Sequence, residues 1–460
     1  MFGIAKRIAL STSTRRPAFG AVARANTLLL RDFHASPPAA AFRPAWMPMR
    51  VKTPWIDALT QAREQAKQGE GKAAAEAAPK PDLTPRRMSD SYFSAVLPLA
   101  QDKWLLDTYL NASGHIRLGS LLMDLDAMAG VIAYRHTGDA VTTVTAAVDR
   151  ISLQRPLKEI CDLELSGQVT YATGRSSMEI SLQVAKAPKE GEKVKPEDVL
   201  ITCAFTMVSL DPVTKKPVPV APLLVETEEE RALFKKGEEN YKAKKALRKR
   251  SLLEQAPNDE EAHLIHSMWT REMSYLNPNS PVKRPSNVVY MNDTVLKSAM
   301  IMQPQDRNRH NFMIFGGFLL KQTFELAFCC AASFSHSRPT FVSLDPSTFE
   351  NPVPVGSVLY LRAMVSYTDP PLLAQQEGEG ETKRPYTKVQ VRVDSKVRDV
   401  EHGMKKSTGV FNYTFLVPKD IQVMPKSYGE FMVWIDARRR AMNMEPIVTS
   451  RFTVHDGVTE

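Results

Sequence analysis

Asp126 is the residue whose setting most favours chemistry, because it interrupts an otherwise apolar helical pattern. It follows Leu122 by four residues and precedes Gly130 by four, so its carboxylate lies on the face that should pack against a sheet. Asp124 is turned about 200° from that face and is expected to face solvent. A carboxylate against a sheet is unfavourable unless it is paired or protonated, and such a group is tolerated where a general base or nucleophile is needed. The spacing predicts either such a group or a hydrogen-bonded structural aspartate.

A second candidate site lies where Gly316 and Gly317 open another helical pattern, after a polar loop that contains Asn308. Two glycines let a ligand approach the exposed amides of a helix N-terminus, whose dipole favours negative charge on an oxygen. The combination predicts an oxyanion site. Glu325 on the same helix follows Lys321 by four residues and is expected to pair with it along the helix surface.

The two helices belong to one pattern that occurs twice in the chain. Three pairs of landmarks are separated by 198, 196 and 196 residues: Gly119 and Gly317, Asp149 and Asp345, and Pro156 and Pro352. A spacing this constant indicates a duplicated domain. Each copy predicts one long helix followed by antiparallel strands, an α+β arrangement with the helix lying against a sheet. Seven residues after its glycine, the second copy has Phe324 where the first has Asp126.

Hydrophobic periodicity gives approximate boundaries for the elements. It predicts helices at 119–134 and 434–440, and strands at 142–148, 162–170, 199–210, 358–368, 387–393 and 409–415. The segment 226–277 is charged, has helical spacing and is predicted to connect the two copies. The polar, acidic segment 369–384 is predicted to be an exposed loop.

Three segments together resemble a known family. The stretch from Asp306 to Leu320, with its Asp-Arg-Asn and Phe-Gly-Gly-Phe-Leu-Leu sequences, resembles the active-site loop and central helix of hotdog-fold acyl-CoA thioesterases. The stretch from Gly119 to Gly130 resembles the carboxylate-bearing helix of the same family. The turn Gly174-Arg175-Ser176-Ser177 resembles the one that approaches coenzyme A (CoA) in these enzymes.

The resemblance implies two tandem hotdog domains, each a long central helix wrapped by a curved antiparallel sheet, paired sheet edge to sheet edge and joined by a charged helical connector. Active sites would then lie between the domains. The resemblance implies that Asp126 is the general base or nucleophile, that Asn308 orients the thioester carbonyl or the water, and that the Gly317 amide polarises the carbonyl. It also implies that CoA is bound by four turn residues: Gly174, Arg175, Ser176 and Ser177.

The departures from the family pattern leave alternatives open. The loop before Gly317 is one residue longer than usual, so Asn311 rivals Asn308. A second site built from Asn111 and Glu325 is possible, although Phe324 at the carboxylate position favours one competent site and one degenerate site. A hotdog hydratase would need a catalytic histidine, for which His310 is the nearby candidate. A non-catalytic acyl-CoA-binding or assembly subunit is the other alternative.

Composition narrows the partners and the compartment. The 460 residues carry a net charge of +9, and the first 30 contain five basic and no acidic residues, which is typical of a mitochondrial targeting peptide. We therefore predict that the protein is located in the mitochondrial matrix.

The basic run 242–250 is flanked by acidic residues and predicts a solvated helix face rather than a nucleic-acid site. No run is long and apolar enough for a membrane span. No Cys/His spacing suggests a metal, and no cofactor is expected besides the CoA of the substrate.

These observations divide the chain into six predicted parts, and we also predict a homo-oligomer of unspecified order. The parts are a presequence (1–35), a linker (36–87), a first hotdog domain (88–212), a helical connector (213–286), a second hotdog domain (287–420) and a C-terminal tail (421–460).

Overall fold

The structure is a computed structural model that describes residues 82–155, 159–189, 192, 194–249, 252, 254–308, 313–369, 372–373, 385–401 and 403–442. The predicted presequence, most of the linker, and the candidates His310 and Asn311 lie outside these residues. So does most of the predicted loop 369–384, although Leu372–Leu373 forms a short strand there. No helix in the described ranges is long and apolar enough to cross a membrane.

The described residues contain two long apolar helices, two long charged ones and three others. The seven α-helices are α1 (Met88–Ser91), α2 (Lys103–Tyr109), α3 (Leu118–Thr137), α4 (Glu228–Lys249), α5 (Asp259–Leu276), α6 (Gly316–Ser335) and α7 (Tyr428–Met442). The central helices α3 and α6 are each 20 residues long. Each ends at a residue with positive φ, Gly138 at 71° and His336 at 51°, as helix C-termini commonly do.

Most of the strands form one large sheet. The strands are β1 (Arg86–Arg87), β2 (Phe93–Leu97), β3 (Thr142–Val148), β4 (Ile151–Leu153), β5 (Leu163–Ala172), β6 (Ser177–Lys186), β7 (Val199–Leu210), β8 (Leu223–Leu224), β9 (Val288–Tyr290), β10 (Leu296–Ile301), β11 (Thr340–Leu344), β12 (Ser347–Thr348), β13 (Val358–Thr368), β14 (Leu372–Leu373), β15 (Pro385–Arg398), β16 (Lys405–Val417) and β17 (Gln422–Met424). The main path of the 13-stranded sheet runs β10-β13-β15-β16-β11-β4-β7-β6-β5-β2. Strands β2 to β7 belong to the first copy and β10 to β16 to the second.

The two copies join at a seam in which β4 pairs with β11 and β3 pairs with β12, both antiparallel. Ile151 pairs with Leu344, and Val148 pairs with Ser347. Ser347 lies 196 residues after Ile151, and Leu344 lies 196 residues after Val148. The 196-residue spacing of the repeat therefore relates the two strand pairs at the seam: the pair Ile151–Leu344 and the pair Val148–Ser347 are equivalent under the pseudo-twofold symmetry of the two halves. Each half supplies the same edge to the other.

Each half buries its central helix against the concave face of its own sheet. In the first half Leu121, Leu122 and Leu125 of α3 are fully buried. In the second half Phe324 of α6 lies at the centre of an aromatic cluster, with ring centroids 5.5 Å from Phe341 and 5.8 Å from Tyr413 in edge-to-face geometry. A helix wrapped by an antiparallel sheet, twice over, is the predicted pair of hotdog domains, and the fold class is confirmed.

Candidate active site

Asp126 lies in the middle of α3, where it faces β3 of its own domain and the first turn of α6 from the other. Its side chain is 0% exposed. Oδ1 accepts a 2.7 Å hydrogen bond from Oγ1 of Thr145 on β3. Oδ2 is equally buried and accepts no hydrogen bond from any side chain in the described ranges. One carboxylate oxygen is thus fixed in place, while the other is free to interact with a substrate or a water.

Glycine is required where the start of α6 meets Asp126. A Cβ on Gly316 would lie 3.0 Å from Oδ2 of Asp126, and one on Gly317 would lie 2.7 Å from the carbonyl oxygen of Met123. Any side chain at Gly317 would collide with the backbone of α3. The N-cap residue Phe315 makes no side-chain capping bond, so the amides of the first turn keep their capacity to bind an acceptor.

The environment of Asp126 adjusts its acidity towards neutral pH. Burial raises the pKa of the Asp126 carboxyl to about 6, while the Thr145 hydroxyl and the Gly317 backbone amide favour the ionised form and limit the rise. A base with a pKa just below the working pH is ionised and still accepts a proton readily. We call the group of Asp126, Thr145, Gly316 and Gly317 the Asp126 site.

Asn308 lies in the loop that leads into α6. Its backbone amide donates to the Met313 carbonyl over 2.7 Å, and the neighbouring bridge between Arg307 and Ile314 closes the loop. The side-chain oxygen Oδ1 is buried and has no hydrogen-bond partner among the residues that the structure describes. A buried amide oxygen without a partner is unusual in a purely structural residue. No hydrogen bond joins the side chains of Asn308 and Asp126, both of which lie in the described ranges.

The pseudosymmetric position, at the start of α3, carries a different arrangement. A Cβ on Gly119 would lie 3.3 Å from Oε1 of Glu325, so a carboxylate of α6 faces the first turn of α3 as Asp126 faces that of α6. Glu325 forms an ion pair with Arg117, the N-cap residue of α3. The spacing allowed Glu325 to pair with Lys321, but in the structure its ion-pair partner is Arg117 of the other domain. We call Arg117, Gly119 and Glu325 the Glu325 site.

Asn111, the candidate loop residue of the Glu325 site, is occupied by its own turn. Its Oδ1 accepts hydrogen bonds from the backbone amides of Ser113, at 2.9 Å, and His115, at 3.0 Å. The side chain therefore shapes the loop before α3. This contrasts with Asn308, whose Oδ1 is unoccupied.

Asp124 was predicted to face solvent, and the structure shows that it is 1% exposed. It accepts a hydrogen bond from the hydroxyl of Tyr109, the last residue of α2. Helical spacing separates the two carboxylates onto different faces, but α2 covers the face that carries Asp124. The prediction failed because α3 is enclosed on both sides.

The turn Gly174-Arg175-Ser176-Ser177 joins β5 to β6. Gly174 has φ +80°, which glycine adopts without strain. Backbone bonds from Ser209 to Ser176 and from Val220 to Arg175 hold the turn in place. The Arg175 side chain is exposed, and its Nη1 lies 3.4 Å from the Tyr241 hydroxyl of α4. The turn lies at the end of β5 and β6, and β6 lies two strands across the sheet from β3, which carries the Thr145 that binds Asp126.

Sequence reasoning missed Thr145 and Arg117. Thr145 lies in a strand that also contains Thr142 and Thr143, so the sequence does not indicate which of the three threonines faces the site. Arg117 lies just before α3, and residue spacing along the sequence does not reveal that α6, which carries its partner Glu325, packs beside α3. Among the described residues, no group of three or more His, Cys, Asp or Glu side chains is arranged to hold a metal ion.

Comparison with known proteins identifies the family. The chain is 36% identical to human acyl-coenzyme A thioesterase 9, mitochondrial, over 381 residues, which cover 80% of this chain and 81% of the human protein. The chain belongs to the acyl-coenzyme A thioesterase family. This thioesterase is also 35% identical to mouse acyl-coenzyme A thioesterase 10, mitochondrial, over 379 residues, again 80% of this chain and 81% of the relative.

Two further comparisons complete these findings. No protein-family model matches the thioesterase. Among solved structures, an acyl-CoA hydrolase from Staphylococcus aureus in complex with butyryl-CoA and CoA matches with 23% identity and a TM-score of 0.29, covering 35% of this chain and 96% of that one. The family is one of thioester hydrolases, and the enzyme class predicted from the sequence is confirmed.

Proposed function

We propose that the chain hydrolyses acyl-CoA to a free acid and CoA at the Asp126 site, which lies between the two domains. The observation that carries this proposal is a buried carboxylate with one free oxygen, 3.0 Å from the Cβ position of a glycine that opens the other domain's helix. A base and a set of amide donors thus converge on one point. Acyl transfer to water needs that pair of groups.

The reaction follows from the properties of these groups. Ionised Asp126 takes a proton from a water through Oδ2, and the water oxygen bonds to the thioester carbon. Negative charge develops on the carbonyl oxygen, where the dipole of α6 stabilises it, and the Gly317 amide turns from the Asp126 carboxylate to this oxygen as Asp126 takes the proton. The carbon–sulfur bond then breaks, and the proton held by Asp126 passes to the departing CoA thiolate. Thr145 keeps the carboxylate oriented throughout, and Asn308 orients the carbonyl.

The Glu325 site supports a structural role instead. Its carboxylate is held by a guanidinium, its loop asparagine is committed to a turn, and Phe324 fills the place of a second buried base. We therefore propose one competent site and one degenerate site for each chain. The Asp126 site supports hydrolysis over the alternative of a non-catalytic subunit, because it offers a buried carboxylate beside the first turn of α6.

The test is thiol release from a panel of acyl-CoA substrates by the wild type, Asn308→Ala, Asp126→Asn and the double variant. We expect each single variant to lose about 10²-fold or more in kcat, and the double to be little worse, since residues acting as a unit are not additive. Asn111→Ala is the matched control and should retain wild-type kcat. Single variants that each keep half the activity would reveal two working sites and contradict the proposal.

The mitochondrial names of the relatives support the targeting prediction, and we propose the matrix as the compartment. Residues 1–35 fused to a fluorescent protein should direct it to a protease-protected matrix fraction. A fusion that remains outside mitochondria would contradict the targeting proposal. The homo-oligomer also remains a proposal, which light scattering of the purified chain would test.

A further inference from the structure

The connector helix α4 docks on the outer face of the first domain's sheet, opposite α3. A Cβ on Gly237 would lie 2.5 Å from Cβ of Tyr171 on β5, so the helix backbone rests directly on that side chain. The ring of Phe234 lies 4.9 Å from that of Tyr171. Asn240 donates a 2.9 Å hydrogen bond to Glu179 on β6. These contacts fix the position of α4 beside the end of the β5–β6 hairpin.

This docking brings an aromatic ring and a second cation to the Gly174–Ser177 turn. Tyr241 is 43% exposed, its ring centroid lies 6.3 Å from that of Tyr171, and its hydroxyl lies 3.4 Å from Nη1 of Arg175. Lys242 follows it, exposed and paired with Glu238 at 2.9 Å. The guanidinium of Arg175 makes no ion pair with any carboxylate of the described residues. The exposed ring of Tyr241 therefore lies beside one cation, Arg175, and a second cation, Lys242, follows it on α4.

The sheet register gives the distance from this cluster to the Asp126 site. Thr145 pairs with Met207, and Met207 pairs with Met178, so the hydroxyl that holds Asp126 lies two strands from Met178. Two strand spacings amount to about 10 Å, and the three residues from Met178 back to Arg175 add about 10 Å along the strand. The separation of Arg175 from Thr145 within the plane of the sheet is thus roughly 14 Å along the diagonal. The pantetheine arm of CoA, comparable to a four- to five-residue extended chain, spans ~15 Å.

We propose that the connector helix forms part of the CoA site, with Tyr241 stacking on the adenine and Arg175 and Lys242 contacting the phosphates. This inference rests on the proposed function, because it assumes a thioester placed at Asp126. Nucleotide bases stack on exposed aromatic rings, and phosphates are bound by arginine and lysine. The connector then serves substrate recognition as well as linking the domains.

The experiment compares Tyr241→Ala with wild type on two substrates, an acyl-CoA and the matching acyl-pantetheine, which lacks the nucleotide. We expect KM for the acyl-CoA to rise about tenfold, with kcat unchanged and with no change for the acyl-pantetheine. Tyr241→Phe retains the ring and should keep KM within about twofold of wild type. Tyr92→Ala is the matched control, because Tyr92 is 46% exposed in the same domain and should leave both substrates unaffected.

Two results would overturn the inference without touching the proposed function. One is a wild type that hydrolyses acyl-CoA while Tyr241→Ala leaves KM unchanged. The other is an equal rise in KM for both substrates, which would mean that the substitution disturbs the domain as a whole rather than a contact with the nucleotide. Asn240→Ala weakens the docking of α4 without altering the ring, and it should likewise raise KM for the acyl-CoA while leaving the acyl-pantetheine unaffected. A wild type that releases no thiol from any acyl-CoA would instead remove the proposed function.

Discussion

The Asp126 site and the Glu325 site are two versions of one geometry, a carboxylate of one central helix facing the glycine-containing first turn of the other. They differ in the neighbours of the carboxylate. Asp126 is fully buried and has a hydroxyl and an amide beside it, whereas Glu325 is partly exposed and is paired with Arg117. An unpaired buried carboxylate is available to take a proton, whereas one held by a guanidinium is already satisfied. The presence of one cation, Arg117, thus makes Glu325 a contact between the domains, whereas its absence leaves Asp126 a candidate catalytic group.

The largest effect should come from removing each carboxylate in turn. Asp126→Asn should lower kcat by about 10²–10⁴-fold, because it removes a general base. Glu325→Gln, the matched substitution at the other site, should keep kcat within about twofold. Thiol release at saturating acyl-CoA measures both. Equal losses in the two variants would mean that the asymmetry is not functional.

Asp126→Asn should also change the pH dependence of stability. Since the folded-state pKa of Asp126 is about 6 against an ordinary 3.8, the folded protein binds the proton more tightly than the unfolded chain. The ionised carboxylate therefore becomes destabilising as pH rises from about 4 to about 6, by about 3 kcal/mol in total. Urea unfolding at pH 4 and pH 8 should show the variant gaining most of that, about 2 kcal/mol, relative to wild type. A constant difference across this range would contradict the raised pKa.

The two glycines that face the carboxylates should tolerate alanine to different degrees. Gly316→Ala places a methyl 3.0 Å from Oδ2 of Asp126 and should lower kcat/KM at least about tenfold by obstructing the position of the water or carbonyl. Gly119→Ala places a methyl 3.3 Å from the flexible end of Glu325 and should change kcat/KM less than about twofold. Steady-state kinetics of both variants tests this. A Gly316→Ala variant with wild-type kinetics would show that the substrate does not bind between α3 and α6.

The smallest effect concerns the hydrogen bond from Thr145. Its loss in Thr145→Val should raise the pKa of Asp126 further, because that bond favours the ionised form. Activity falls as pH drops through the pKa of a general base, so the acidic limb of kcat/KM should move up by about one pH unit. Thr143→Val, on the same strand, should leave the limb near pH 6. If the acidic limb of the kcat/KM profile moves in neither variant, that limb reports the titration of a group other than Asp126.

The sequence predicted the features that depend on local spacing. The duplication, the position of Asp126 on a buried helix face and the glycine pair at the start of α6 all follow from short-range periodicity or direct residue identity. Several element boundaries were also close, and the strand predicted at 199–210 coincides with Val199–Leu210.

The features that were missed depend on which elements pack together. Asp124 is buried because α2 covers it, and Glu325 pairs with a residue 208 positions earlier in the chain. The turn around Asn111 occupies a side chain that could equally have pointed into a site. Spacing along one helix gives the direction of a side chain, but the partner in that direction is set by tertiary packing.

The seam between the halves also bears on how the chain is synthesised. Strand β4 finds its neighbour in β11, and 186 residues separate Leu153 from Thr340. At translation rates of about 5–20 residues per second, the first half carries an unpaired strand edge for roughly 10–40 s after β4 emerges from the ribosome. Such an edge can pair with other chains, including a second nascent copy of the same half, whose edge is a close structural match. Synthesis as a single chain keeps the correct edge tethered nearby, and it also leaves the first half exposed to mispairing for the whole of this interval.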